Sequence, residues 1–231
     1  MIEFETLSIG DRCHAIRQQI PESVRLIAVT KMVSASAIHE AYQAGIRDFG
    51  ESRVQEAIAK QTELQNYSDI DADSIQWHLI GHLQRNKARK AVQHFDWIHS
   101  VDSLKIAQAL NQAAIDENQT PQVCLQVKMR PDPNKYGWDP EILREELPSL
   151  DQCTHLKIRG LMAIPPLGLS TDETLDYFHQ VAELAASIQS MPLTHLSLQE
   201  LSMGMSEDYA IAIQAGATMI RPGRILFGER T

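Results

Sequence analysis

The sequence predicts an α/β protein, a single-domain (β/α)8 TIM barrel over residues 1–231 with an extra N-terminal helix, and three observations carry that expectation. Short β-branched or aliphatic runs alternate with longer amphipathic stretches from Val24 to the C-terminus. The runs number eight, and strand, helix, strand repeated that often requires parallel strands with right-handed crossovers that close on themselves. No linker or low-complexity tract divides the 231 residues, a length that one closed barrel fills. An open doubly wound sheet is the alternative.

Taken in order, the segment before Val24 spaces Leu7, Ile9, Ile16 and Ile20 loosely as a helix and is read as the extra helix covering the barrel. The predicted strands are Arg25 to Thr30, Arg47 to Phe49, Gln76 to Ile80, Trp97 to His99, Gln122 to Lys128, Lys157 to Met162, His195 to Leu198 and Thr218 to Ile220. Helical spacing covers Ser34 to Ala44, Arg53 to Leu64, Asn86 to His94, Ser103 to Glu117, Pro140 to Leu150, Thr174 to Ser190 and Glu207 to Ala215. Ser34, Asp102, Asp139 and Ser206 are N-cap candidates, because their side-chain oxygens accept otherwise unpaired helix N–H bonds. Gly45 and Gly216 close helices in matching contexts, AYQAGIRDF and AIQAGATMI, a faint internal repeat.

Composition narrows the function. A net charge of -9 and a pI near 5.4 disfavour nucleic acid and anionic lipid as partners, since both reward a positive surface. The N-terminal residues lack a basic region followed by an apolar one, and no run of about 18 apolar residues occurs, so a cytoplasmic location is expected. Cys13, Cys124 and Cys153 are odd in number and form no CxxC pair; reduced, partly buried thiols are expected. His78 and His82 are poorly placed to share a metal ion, and no metal site is expected. The basic run Arg85, Lys87, Arg89, Lys90 reads as a solvated helix face, and Trp77, Trp97 and Trp138 as packing residues.

In a closed barrel the reactive end is the C-terminal edge of the strands. There the first strand delivers Lys31, the second Glu51, Ser52 and Arg53, the third Gly81 and His82, and the seventh Ser202-Met203-Gly204-Met205-Ser206. The last delivers Arg221-Pro222-Gly223-Arg224. A lysine directly after a buried strand has its stem against apolar walls, which disfavours the ammonium and eases imine formation. After the last strand, IRPGR sets a glycine whose bare backbone can approach a phosphate, at the usual phosphate site of this fold, and the Ser202 and Ser206 hydroxyls can add donors. Barrel closure makes Lys31 and Arg221 neighbours. An amine, a phosphate cradle and an arginine able to meet a pyridine nitrogen are what pyridoxal 5′-phosphate (PLP) requires of a protein. Because a guanidinium stays protonated, such an arginine does not keep the pyridine nitrogen protonated, and the ring is a weak electron sink.

AVTK, DFGESRVQEA, WHLIGHLQRNK, HSVDSLKIAQAL, RGLMAIPP, LSMGMSEDY and GATMIRPGRILFGER together resemble the PLP homeostasis proteins, the YggS/PROSC family, over nearly the whole chain and in order. That family is similar to the barrel domain of alanine racemase without its second β domain. The resemblance implies a Schiff base on Lys31, Arg221 facing the pyridine nitrogen, and Ser202, Gly223 and Arg224 at the phosphate. Glu51, Ser52, His82, Asn86 and Met203 surround the pocket as second-rank candidates. Ser52, Lys128 and Arg224 depart from the family pattern, which carries GENR, an asparagine after QV, and a small hydroxyl residue after the glycine. The implied function is PLP buffering or delivery in vitamin B6 and amino-acid balance. Apo forms of PLP-dependent enzymes are then recipients, with no nucleic-acid or membrane partner, and a monomer is expected because the racemase-type dimer surface is lost. Two readings compete: a low-activity PLP-dependent amino-acid racemase, for which Tyr136 is the one nearby candidate for a second proton-transfer group, and a barrel that binds another sugar phosphate.

Overall fold

The computed structural model describes residues 7–132 and 135–228. Helix α1 (Ile9–Gln19) is capped by Ser8, whose hydroxyl accepts from Asp11 N at 3.1 Å. Its buried Cys13 and Ile16 turn inward, and the helix packs against α2 (Ala35–Gln43) and α9 (Arg224–Phe227). The extra helix is therefore a member of the outer ring that joins the chain's two ends.

Strands β1 (Arg25–Leu26), β2 (Ala28–Val29), β3 (Asp48–Glu51), β4 (Gln76–Leu79), β5 (Trp97–Val101), β6 (Gln122–Val127), β7 (Lys157–Ala163), β8 (Leu196–Ser202) and β9 (Met219–Ile220) are all parallel. Their order is β1-β9-β8-β7-β6-β5-β4-β3-β2. β1 and β2 are two halves of one extended segment that pairs β9 on one side and β3 on the other. Ile27 N donates to Ile220 O and Val29 N to Pro222 O, both at 2.9 Å, while Thr30 N donates to Gly50 O at 2.9 Å. The sheet closes on itself there, as the eight-strand expectation requires.

Helices α3 (Val54–Leu64), α4 (Ala88–His94), α5 (Leu104–Asp116), α6 (Pro140–Leu150), α7 (Thr171–Gln189) and α8 (Tyr209–Gln214) complete the ring. Most apolar burial lies between this ring and the sheet. A smaller cluster of Ile27, Trp97, Cys124, Met162 and Met219, contributed by different strands, fills the barrel interior. Gly160 in β7 lets β8 approach closely: a Cβ there would lie 1.8 Å from Glu200 O.

Several boundaries shift, and some matter for function. β3 extends to Glu51, β5 to Val101 and β8 to Ser202, so residues expected in loops belong to the barrel wall. Gln199 and Glu200 break the apolar run of β8, which hides its second half; Glu200 is accommodated by a 2.6 Å hydrogen bond from Thr218 Oγ1. α7 starts at Thr171 under a capping box of Ser170 and Glu173. Ser34 caps α2 as expected, whereas Asp102 and Ser206 do not cap the helices that follow them: Ser103 and Asp208 hold those positions, and Ser206 Oγ instead accepts from Ile225 N in the first turn of α9.

Candidate functional site

At the C-terminal edge a cavity of about 500 Å³ opens beside the seam where β2 meets β9. Lys31, Ser52, Ser206, Arg221, Gly223 and Arg224 line it, and Ile164 to Leu169 with Thr174 form the opposing wall. Lys135, half-buried, secures that wall by donating to Ile164 O at 3.3 Å and to Pro165 O. Burial lowers the Lys135 pKa. A second cavity of about 520 Å³ shares Lys31 and Ser52 and adds Arg53, His82, Gln84 and Lys87. Lys31 thus stands between two spaces. A larger cavity, of about 790 Å³, around Tyr67, Trp77 and Phe95 touches none of these residues.

The backbone on both sides of Lys31 is clamped from outside the barrel. Lys60, on the inner face of α3, donates to Thr30 O at 2.6 Å, to Glu51 Oε1 at 2.7 Å and to Glu56 Oε1 at 2.7 Å. Thr30 Oγ1 donates to Glu51 Oε1 at 2.6 Å, and Met32 N donates to Glu56 Oε1 at 2.6 Å. Met32 holds a left-handed φ of 60°, a conformation that costs a non-glycine residue of order 1–2 kcal/mol and that the Glu56 bond supports. Glu51 is fully buried, and burial raises its pKa against the opposing pull of Lys60 and Thr30; its Oε2 has no hydrogen-bond partner among the described residues. For Glu56, burial again raises the pKa, but the bonds from Lys60 and Met32 N prevail and hold it below the usual value.

Arg221 is 3% exposed at the cavity floor. Its Nη1 donates to Ser202 Oγ at 2.7 Å and its Nη2 to Ala163 O at 3.0 Å, leaving further N–H groups of the fork for a ligand. Burial pulls its pKa down to about 10, so it remains a cation at neutral pH. On the adjoining turn, Gly223 N and Ile225 N donate to Ser206 Oγ at 3.1 and 3.3 Å, so the Ser206 hydrogen is free to donate to an anion. Arg224, exposed, pairs with Glu207 at the rim.

The structure brings together Lys31, Arg221, Ser52, Gly223 and Arg224, with Ser206, on one cavity. Ser202 and Met203 are fully buried beneath it, and Ser202 Oγ is already engaged by Arg221 and by His99 Nδ1 at 2.7 Å. His82 lies on the second cavity, hydrogen-bonded to Asp102 Oδ2 at 2.8 Å and stacked on the exposed Tyr136 ring at 3.6 Å. Asn86 is exposed and lines neither space, and Glu51 supports Lys31 from behind. Sequence reasoning missed Lys60, Glu56, His99 and Asp48. Lys60 did leave a signal, since a charged residue stands on the apolar face spaced Val54, Ala57, Leu64.

A family model described as alanine racemase, N-terminal domain, matches residues 7–231. The pyridoxal phosphate homeostasis protein of Synechocystis sp. is 54% identical over 211 residues, covering 91% of this chain and 94% of that protein. The protein of the same name from Pseudomonas aeruginosa is 42% identical, covering 91% and 86%. The solved structure of PipY from Synechococcus elongatus with PLP bound is 54% identical with a TM-score of 0.88, covering 95% of this chain and all of that one. Alanine racemase of Clostridium difficile, 15% identical with a TM-score of 0.73 over 56% of its own length, shares the fold.

Proposed function

The chain belongs to the alanine racemase N-terminal domain family, among relatives named pyridoxal phosphate homeostasis proteins, and from that premise we propose that it binds PLP and serves intracellular PLP homeostasis and amino-acid balance. One observation carries the reading: a single cavity collects the Lys31 amine, the Arg221 guanidinium and the Ser206–Gly223 turn at the barrel seam. That donor set fits the cofactor, with an amine for an aldehyde, a turn of small polar residues for a phosphate, and a buried cation for a ring nitrogen.

Bound there, PLP supplies an aldehyde able to condense with an amine, releasing water. Lys31 Nζ is the linking amine, held by the clamp on Thr30 and Met32. Ser206 Oγ–H and Arg224 hold the phosphate, and Gly223 N–H, donating to Ser206 Oγ, aims that hydroxyl while its bare Cα lets the phosphate approach the turn. Ser202 acts from beneath, by orienting Arg221, instead of through a hydroxyl bond to phosphate. Arg221 donates toward the ring nitrogen and, being permanently protonated at neutral pH, offers no proton to it. Ser52 lines the cavity beside Lys31. The three unbonded, buried cysteines suit a reducing cytoplasm. Release to apo forms of PLP-dependent enzymes by a monomeric carrier is the role we assign.

Reducing PLP-saturated protein with borohydride and mapping the peptides should place one phosphopyridoxyl group on Lys31, and Lys31→Ala should lose it together with the near-violet absorbance. Cofactor-saturated protein with Lys31 unmodified would overturn the reading. In deuterated water, single-enantiomer amino acids should gain no α-deuterium; gain that disappears in Lys31→Ala would establish racemase-type turnover instead.

A further inference from the structure

Through the barrel interior runs a line of polar side chains that the cavity does not account for. Asp48, first residue of β3 at the N-terminal mouth, takes a 3.0 Å hydrogen bond from His78 Nε2. His78 Nδ1 lies 2.9 Å from His99 Nε2, and His99 Nδ1 lies 2.7 Å from Ser202 Oγ, which also faces Arg221 Nη1 at 2.7 Å. His78, His99 and Ser202 are completely buried. Burial holds both imidazoles below the ordinary histidine pKa, against Asp48 in the case of His78 and aided by nearby cations in the case of His99, so each carries one ring hydrogen.

The Asp48 end dictates the direction of every link. A carboxylate can only accept, so His78 carries its hydrogen on Nε2 and exposes Nδ1 as an acceptor. His99 must then donate from Nε2, which leaves its Nδ1 to accept the Ser202 hydroxyl hydrogen. A guanidinium can only donate, so Arg221 supplies the bond that Ser202 Oγ receives. The Arg221 end is compatible with this assignment, since Ser202 Oγ accepts from the guanidinium while its own hydrogen goes to His99 Nδ1. In the opposite direction His99 Nδ1–H and Arg221 Nη1–H would both point at one oxygen, and Asp48 would face a bare ring nitrogen.

We propose that His78 and His99 are positioning residues for Arg221, acting through Ser202, and that Asp48 at the far mouth of the barrel sets the direction of the line. The inference rests on the reading that Arg221 faces the bound cofactor. Asp48→Asn is the incisive change, because an amide can offer His78 either an oxygen or an N–H and so removes the bias without changing shape.

Two measurements on the PLP-loaded protein test this. Two-bond proton–nitrogen correlations with labelled histidine should report His78 and His99 as neutral Nε2–H tautomers from about pH 6 to pH 8 in the wild type, and Asp48→Asn should introduce the Nδ1–H form. PLP dissociation constants should then show Asp48→Asn weakening binding about threefold in the wild-type background and less than about 1.5-fold once Ser202→Ala has cut the line. His99 found cationic or hydrogen-bearing at Nδ1 in the wild type, or an Asp48→Asn effect of equal size in both backgrounds, would overturn the proposal. Should the wild type take up no PLP, the cofactor reading fails; the tautomers and the Arg221 Nε–H resonance, compared between wild type and Asp48→Asn, still decide whether the line orients Arg221.

Discussion

Replacing Lys60 by Met tests how the backbone around Lys31 is supported. The two stems are similar in length and apolar character, so packing is largely kept while three hydrogen bonds from Nζ are lost, to Thr30 O, Glu51 Oε1 and Glu56 Oε1. The Lys60 side chain is 9% exposed and that of Glu51 0%, so the change strands a buried carboxylate. Breaking a buried pair from one side costs about 3–5 kcal/mol, or roughly 6–20 °C in Tm for a domain of this size. Linkage gives the loss a pH signature. Burial raises the folded pKa of Glu51, a shift whose stabilising contribution is present below the unfolded value of 4.5 and lost as pH rises through the folded value; without Lys60 it rises further. Glu56, held low in the wild type, contributes stability above 4.5 that the variant forfeits. Both effects make the deficit larger at about pH 8 than at about pH 5. Urea unfolding at those two pH values, without PLP so that ligand linkage adds nothing, measures it. A deficit under about 1 kcal/mol, or one equal at both pH values, would refute the clamp.

Two further outcomes follow from packing and burial. Gly160→Ala places a methyl 1.8 Å from Glu200 O and must separate β7 from β8, so we expect a loss of at least about 3 kcal/mol by urea unfolding. Gly168→Ala, with φ +83° but nothing within 4 Å, should cost only about 1 kcal/mol; equal losses would contradict the close-approach argument. Burial pushes the Cys13 thiol up to about 11 and raises those of Cys124 and Cys153, so a disulfide reagent at neutral pH should titrate no thiol rapidly in native protein and three after denaturation.

How much of this was legible in the sequence depended on what each residue's role required. Lys31 and Arg221 stand where apolar runs end, and barrel topology makes the first and last of those ends neighbours, so strand counting alone brings them together. Ser202 was legible as a site residue but its place in the barrel wall was not, because Gln199 and Glu200 interrupt the β8 pattern and put its hydroxyl in an imagined loop. His78 and His99 alternate with apolar Trp77, Leu79 and Ile98, which marks inward-facing positions, yet nothing local says that the two rings meet end to end. Such pairing depends on strand register across β4 and β5, a long-range property set by the closed sheet.

The two supports hold their ends of the cavity by opposite electrostatic means. Lys31 is fixed from the helix layer by a buried charge cluster, whereas Arg221 is fixed from the barrel core by a neutral line whose charges lie only at its ends. A second charged cluster inside the barrel would have to overcome the desolvation of each ion, and a guanidinium already stripped of water would gain neighbours that compete for its donors. Neutral imidazoles avoid that penalty while still specifying one orientation. With both anchors set before a ligand arrives, little side-chain freedom is lost on binding, which favours tight retention of the cofactor. If Arg221 meets the cofactor ring as proposed, the cation at the cavity floor, unable to yield a proton to it, gives that retention no matching push toward carbanion chemistry.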